Sequence, residues 1–199
     1  MANRSKPIDN SRFDEKIELR SYFMAKYHAD GKARVFDACQ GEGRLWNRLR
    51  QIFPVAEYWG VDEKPKRGRI SIDSRKVLAN PRCDFDVIDV DTYGSPFKHY
   101  YLILRNLKKP TTIFLTFGAR GLSGGCCDFM LRLLGIVFRG QDLQPMFRWK
   151  IAEHLTDEAI CSTLRFGVRI VEGKQFITDL HRGRVRYIGL RLEPVGGKV

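Results

Sequence analysis

Apolar residues keep two different rhythms along the first part of the chain. Phe13, Ile17, Met24 and Tyr27 recur at near-helical spacing and Gly31 supplies a stop, which predicts a helix over 12–30. Ser11 with Asp14 forms a pattern like a capping box at its start. The rhythm then changes. Residues 33–38 (ARVFDA) are a short apolar run between Gly31 and a glycine loop, which predicts a buried strand. Residues 44–53 read as a helix ended by Pro54. Further short strands are expected at 57–61, 69–72, 84–90 and 111–117. Helices are expected at 74–79 and at about 97–107, the latter closed by Pro110. Gly124 and Gly125 open a predicted helix through Leu134, and Ala152, Leu155, Ala159, Ile160 and Leu164 outline an amphipathic one. Residues 167–177 and 184–192 alternate like the two strands of a hairpin.

Strands alternating with helices predict an α/β fold. The expected architecture is a mostly parallel seven-stranded sheet with helices on both faces and an antiparallel C-terminal edge hairpin. The length of 199 residues suits one domain over 12–199, preceded by a polar tail over 1–11 that is expected to be flexible.

Composition narrows the class. With 43% hydrophobic residues and 13 Phe, the chain has material for a real core, which excludes wholesale disorder. No apolar run approaches the roughly 18 residues needed to span a bilayer. Residues 1–7 are polar, so no secretory signal is expected and the expected location is cytoplasmic. The five cysteines include no C-x-x-C, and the four histidines form no H-E-x-x-H, so no metal site is expected. Lys and Arg total 35 against 23 Asp and Glu, a net charge of +12. Soluble domains need a net charge of only about 2–8. The excess favours a polyanionic partner, and nucleic acid is the expected one.

In an open parallel sheet, ligands bind beyond the carboxyl ends of the strands, at the topological switch point. The loops after the strands therefore carry the candidate chemistry. In VFDACQGEG (35–43), a strand ends in Asp37, and Gly41 and Gly43 let backbone approach a ligand closely. Trp46 stands where a dinucleotide fingerprint has its third glycine, so that fingerprint is not met. In YWGVDEKP (58–65), Asp62, with Glu63 as the alternate, sits about 20 residues on, where a carboxylate accepts from ribose hydroxyls. Asp73 follows the third strand; either Asp73 or Ser74 caps the next helix, or Asp73 is an acceptor for an adenine amino group. In DFDVIDVDTYGSP (84–96), Asp86, Asp89 and Asp91 crowd a strand end before a rigid turn. Such crowding destabilises unless something cationic or hydrogen-bonding uses the acids. An acid beside an exposed aromatic can hold a flat, amino-bearing base.

The order of these segments resembles the class I S-adenosylmethionine-dependent methyltransferases. VFDACQGEG is similar to their first motif and YWGVDEKP to the second. DVIDVDTYGSP is similar to the D-V-I-D-L-D-P-[FY]-G-[ST]-P stretch of the tRNA guanine-N2 dimethyltransferase family, and FLTFGARGL (114–122) is weakly similar to that family's T-x-T-D segment. The resemblance covers roughly residues 33–120. It implies a Rossmann-like class I methyltransferase fold, S-adenosyl-L-methionine as cofactor and S-adenosyl-L-homocysteine as product. It places Asp37, Cys39, Gly41, Gly43, Asp62 and Glu63 around the methionine and ribose moieties, Asp73 at the adenine, and Asp89 beside the methionine amino group. Asp91 would orient the substrate amine and accept its proton, and Tyr93 would stack on the target base. Ser95, Pro96, Lys64, Lys66 and Arg67 would lie on the substrate side.

The implied function is methyl transfer to an exocyclic base amine of nucleic acid, first of all guanine N2 in tRNA or another RNA, as a step of tRNA processing. The alternatives are a DNA amino-methyltransferase and a non-catalytic nucleic-acid-binding module that retains the fold. Thr92 replaces the family's proline, the segment at Thr116 lacks the family's acid, and no counterpart of that family's additional C-terminal tRNA-gripping domain is expected in these 199 residues. A cysteine nucleophile at Cys126 or Cys127 is the weaker reading beside simple burial. His99, Tyr100 and Tyr101 read as core more readily than as base-stacking groups. The basic cluster Lys64, Lys66, Arg67 and Arg69 reads either as a phosphate track or as a solvated face. Arg184 and Arg186, beside His181 and Arg182 at the hairpin turn, leave the same choice between nucleic-acid contact and edge protection.

Overall fold

The computed structural model describes residues 12–64, 70–92, 94–117, 130, 132–135, 156–180 and 183–196. The tail over 1–11, most of the predicted helix over 124–134, Cys126, Cys127 and the turn at 181–182 lie outside the described residues.

The elements follow the expected alternation. In chain order they are α1 (Phe13–Tyr27), β1 (Arg34–Asp37), α2 (Arg44–Ile52), β2 (Glu57–Asp62), β3 (Ile70–Ser71) and α3 (Ser74–Leu78). Then come β4 (Val87–Val90), α4 (Phe97–Asn106), β5 (Thr111–Phe117), a 3-10 turn (Ser162–Phe166), β6 (Val168–Leu180) and β7 (Gly183–Pro194). Residues 156–161, within the expected amphipathic stretch, are helical.

The strands form one seven-stranded sheet in the order β3-β2-β1-β4-β5-β7-β6. The first five pair in parallel, and β7 runs antiparallel to both β5 and β6. The strand order reverses between β1 and β4. That is the switch point at which a ligand crevice opens.

Burial explains the parallel core. Every residue of β4 and of β5 is buried, as strands covered on both faces require. Their side chains divide between two layers. Ile113, Leu115 and Phe117 pack with Tyr100, Ile103 and Leu104 of α4 on one face. Phe114 packs on the other face with Leu19, Phe23 and Met24 of α1 and Trp46 and Leu49 of α2.

Several boundaries move from the sequence expectation. Arg12 takes the N-cap of α1 with no side-chain capping bond, and Ser11 lies outside the described residues. The helix ends at Tyr27 because His28, in a non-helical conformation, still donates its backbone N–H to Met24 O at 2.9 Å. β4 is shorter than 84–90: the Asp86 carboxylate accepts from the Arg34 backbone N–H at 2.8 Å. The hairpin strands are longer than expected, since pairing runs from Val168 with Pro194 to Leu180 with Gly183. Among the described residues no helix is long and apolar enough to cross a membrane.

Candidate active site

The carboxyl ends of β1, β2 and β4 bring the acids together. Asp37 of β1 pairs in register with Asp89 of β4 on one side and with Gly60 of β2 on the other. The loop after β1 is pinned to β2, as Gln40 N–H donates to Val61 O at 2.9 Å. Gly41 and Gly43 both sit at positive φ, 51° and 70°, where side-chain-bearing residues are strained. Gly43 is the N-cap of α2, so this turn directs the helix away from the strand end.

Asp62 closes the loop from the next strand. One of its oxygens accepts from Gly41 N–H at 2.9 Å and the other from Lys64 N–H at 2.9 Å. The residue is half-buried at the crevice edge. Asp37 is buried, and Tyr58 Oη donates to its Oδ2 at 2.8 Å. Gln40 donates to Tyr58 Oη in turn at 3.2 Å, and the Arg50 guanidinium lies 4.3 Å from the Tyr58 ring centroid. A Cβ at Gly60 would stand 2.4 Å from the Gln40 side chain and 2.7 Å from the Tyr58 hydroxyl, so the network depends on a glycine there. Burial, and then Asp89 across the strand pair, push the Asp37 carboxyl well above the usual carboxylate range. Burial and the surrounding carboxylates likewise push the Cys39 thiol up, which keeps it neutral.

Asp89 is buried at the switch point with both oxygens engaged. Arg20 donates to Oδ2 and Oδ1 through Nε and Nη2, each at 2.7 Å. Trp46 Nε1 donates to Oδ2 at 2.8 Å. Expected beside a cofactor amine, this carboxylate therefore faces protein donors on α1 and α2. The residue that broke the dinucleotide fingerprint, Trp46, is one of them. The Arg20 guanidinium also lies 5.0 Å from the Phe114 ring centroid.

Asp91, two residues on, faces Lys16, with Nζ 2.6 Å from Oδ2. Its side chain keeps 24% exposure, unlike that of Asp89. Burial works to raise its pKa, but Lys16 and Arg20 outweigh burial and hold it below the usual range. The described residues on either side of position 93 are held by hydrogen bonds. Thr92 Oγ1 donates to Thr116 O at 3.4 Å, and Ser95 Oγ accepts from Phe97 N–H at 3.3 Å as α4 begins after Pro96. Tyr93 lies outside the described residues, as do Lys66 and Arg67.

Asp73 is a helix cap. It accepts from Arg75 N–H at 2.9 Å and from the Arg75 side chain at 2.7 and 2.8 Å. Those bonds hold it below the usual carboxylate range. Glu63 and Lys64 are exposed on the loop after β2. The aromatic run belongs to the core: Tyr100 is fully buried and donates to Ile160 O at 2.8 Å, and buried His99 meets Ser74 Oγ at 3.0 Å. Arg186 is engaged by Asp157 and Gln175. Among the described residues no group of three His, Cys, Asp or Glu side chains is arranged to hold a metal ion.

Four contributors escaped the sequence reading: Lys16, Arg20, Trp46 and Tyr58. One of them left a signal. The apolar stripe of α1 runs Phe13, Ile17, Met24, Tyr27, and Arg20 occupies the gap in it. A charge at a core-facing position requires a buried partner.

No protein-family model matches the chain, and no curated protein sequence matches it. Solved structures do match in fold. The structure of Trm1 from Pyrococcus horikoshii with S-adenosyl-L-methionine aligns with a TM-score of 0.60 at 16% identity, over 92% of this chain and 55% of that one. This chain thus spans about half the length of that protein. The structure of M. jannaschii TYW2 in complex with AdoMet aligns with a TM-score of 0.51 at 11% identity, over 96% of this chain and 80% of that one. Magnesium protoporphyrin IX methyltransferase from Synechocystis PCC 6803, with bound SAH, aligns with a TM-score of 0.51 at 16% identity, over 96% and 90%. With the strand order and the reversal between β1 and β4, these matches establish that the chain has the Rossmann-like class I methyltransferase fold.

Proposed function

We propose that the protein is an S-adenosylmethionine-dependent methyltransferase acting on an exocyclic base amine of nucleic acid, with guanine N2 of RNA, and of tRNA first, as the target. The observation that carries this reading is the partly exposed Asp91 at the switch point, beside the glycine loop and the acids Asp37 and Asp62. The fold matches include methyltransferases holding S-adenosylmethionine or its product, and one of them is Trm1.

The donors at the site suit this cofactor. It carries an ammonium, a sulfonium and a ribose, and the strand ends offer acids where each can be met. Asp37, at the end of β1 beside the glycine loop, is suited to the cationic methionine end, whose charge would favour its ionised form. Asp89 contributes to the local field while Arg20 and Trp46 fix its position. Asp62 and Glu63 reach toward the ribose, Asp73 caps α3 at the adenine side, and Cys39, Gly41 and Gly43 line the loop. When bound, S-adenosylmethionine supplies the electrophilic methyl carbon.

The chain's own task is alignment. A base amine has a delocalised lone pair, so direction and charge stabilisation matter more than a strong base. Asp91 accepts a hydrogen bond from the amine, turns its lone pair toward the methyl group, and takes the proton that nitrogen loses as the new N–C bond replaces the S–C bond. Tyr93 stacks on the base, with Ser95 and Pro96 shaping the turn behind it. The resemblance assigns Lys64, Lys66 and Arg67 to the substrate side, and the net charge of +12 favours a polyanionic substrate.

Asp91→Asn tests this reading. It is expected to abolish methyl transfer to bulk tRNA while cofactor affinity, read by calorimetry, stays within about twofold. Full activity in that variant would overturn the assigned role.

A further inference from the structure

The cation on Asp91 comes from α1, which precedes the glycine loop and belongs to none of the motifs of the methyltransferase pattern. Lys16 Nζ lies 2.6 Å from Asp91 Oδ2, and its side chain is only 12% exposed. Its ammonium also lies 5.2 Å from the ring centroid of buried Tyr187 on β7. One turn on, Arg20 is tied to Asp89 by two hydrogen bonds and holds α1 in place. A free lysine side chain samples many rotamers, and here an acid, a ring and a fixed helix oppose that freedom.

We propose that Lys16 is a positioning residue for the methyl acceptor: it fixes one oxygen of Asp91 and thereby sets the direction in which the other meets the incoming amine. The proposal rests on the reading of Asp91 as the amine acceptor. Two consequences follow from the charges around that carboxylate. Asp91 is faced by Lys16 and Arg20 of α1, Asp37 and Cys39 at the end of β1, Asp89 of β4 and Thr116 of β5. With Lys16 in place it remains ionised and acts as a hydrogen-bond acceptor. Without the ammonium, Asp91 is left with Arg20 against two further acids and burial, so its proton affinity rises. The acid limb of methyl transfer then moves to higher pH. An arginine at position 16 keeps the charge and restores much of the effect.

The test uses the full chain with Lys16→Gln, Lys16→Arg and Asp91→Asn. The Asp91 carboxyl is titrated by carbon-13 NMR, assigned through Asp91→Asn. Transfer of labelled methyl from S-adenosylmethionine to bulk tRNA is followed between pH 5 and 9. An opposite charge at this distance lowers a carboxylate pKa by roughly 1–3 units. Lys16→Gln is therefore expected to raise the Asp91 midpoint by about one unit or more and to lower kcat about tenfold, most strongly at low pH. KM for S-adenosylmethionine stays within about twofold, and Lys16→Arg recovers the midpoint. An unchanged midpoint, or a kcat for Lys16→Gln within twofold of wild type at every pH beside an inactive Asp91→Asn, overturns the Lys16 proposal alone. An active Asp91→Asn variant overturns the reading on which it rests.

Discussion

Arg20 grips Asp89 through two hydrogen bonds of 2.7 Å, with both side chains 1% exposed. This pair joins the first helix of the chain to the switch point of the sheet. It also answers the repulsion that the acid-rich strand end poses in the sequence. Part of the acid cluster is balanced from within the fold: Asp89 is buried, while Asp91 at the switch point keeps 24% exposure.

Removing one partner of a buried ion pair leaves an uncompensated charge and costs about 3–5 kcal/mol. Arg20→Met is expected to lower stability by about that amount in urea unfolding. Arg20→Met combined with Asp89→Leu is expected to recover most of the loss, short of what the Trp46 N–H loses. A single-variant loss below about 1 kcal/mol would show that the pair is solvated.

Stability should fall in mild acid. Burial pushes both His28 and His99 down to about 4. The unfolded chain takes up their protons near pH 6.5, and the folded chain does so only near pH 4, so the unfolded state binds more protons between those values. Each histidine's contribution is complete above pH 6.5 and is lost as the pH falls toward 4. Chemical denaturation across this range is expected to show the decline, and His99→Gln is expected to flatten it. His99 is the sharper probe, since its Nδ1 has no hydrogen-bond partner among the described residues. An equal slope in wild type and His99→Gln would contradict the assignment.

Asp62 pins Gly41, and the proposed function assigns it the ribose contact. A hydrogen bond to a charged group contributes about 1.5–3 kcal/mol, so Asp62→Ala is expected to weaken S-adenosylmethionine binding roughly 10- to 100-fold by calorimetry. Unchanged affinity would move the ribose contact to Glu63.

Cofactor binding should release a proton. Asp37 sits well above the usual carboxylate range in the free protein, and a cation placed beside it favours its ionised form. Affinity is therefore expected to rise with pH through the Asp37 titration. Calorimetry in buffers of different ionisation enthalpy reads the released proton directly, and Asp37→Asn is expected to abolish it. No release in the wild type would contradict the pairing.

The fold was legible because its signals are local. Apolar runs over 33–38 and 111–117, bounded by glycine and proline, mark buried parallel strands, and the terminal alternation marks the hairpin. The strand-end acids were legible for the same reason. Their partners were not, because each lies far away in the chain: Lys16 is 75 residues from Asp91, Arg20 69 from Asp89, and Trp46 43 from Asp89. Asp73 was legible only as a choice. Cap and ligand readings use the same residue at the same strand end, and only geometry brought Arg75 onto it.

The central claim is methyl transfer to a base amine, and it is tested most directly by labelled S-adenosylmethionine incubated with the protein and separate pools of bulk tRNA, ribosomal RNA and duplex DNA, followed by nucleoside digestion. The account predicts label in N2-methylated guanosine from RNA, absent with Asp91→Asn. Label confined to a DNA base, or no label in any pool despite bound cofactor, would contradict it.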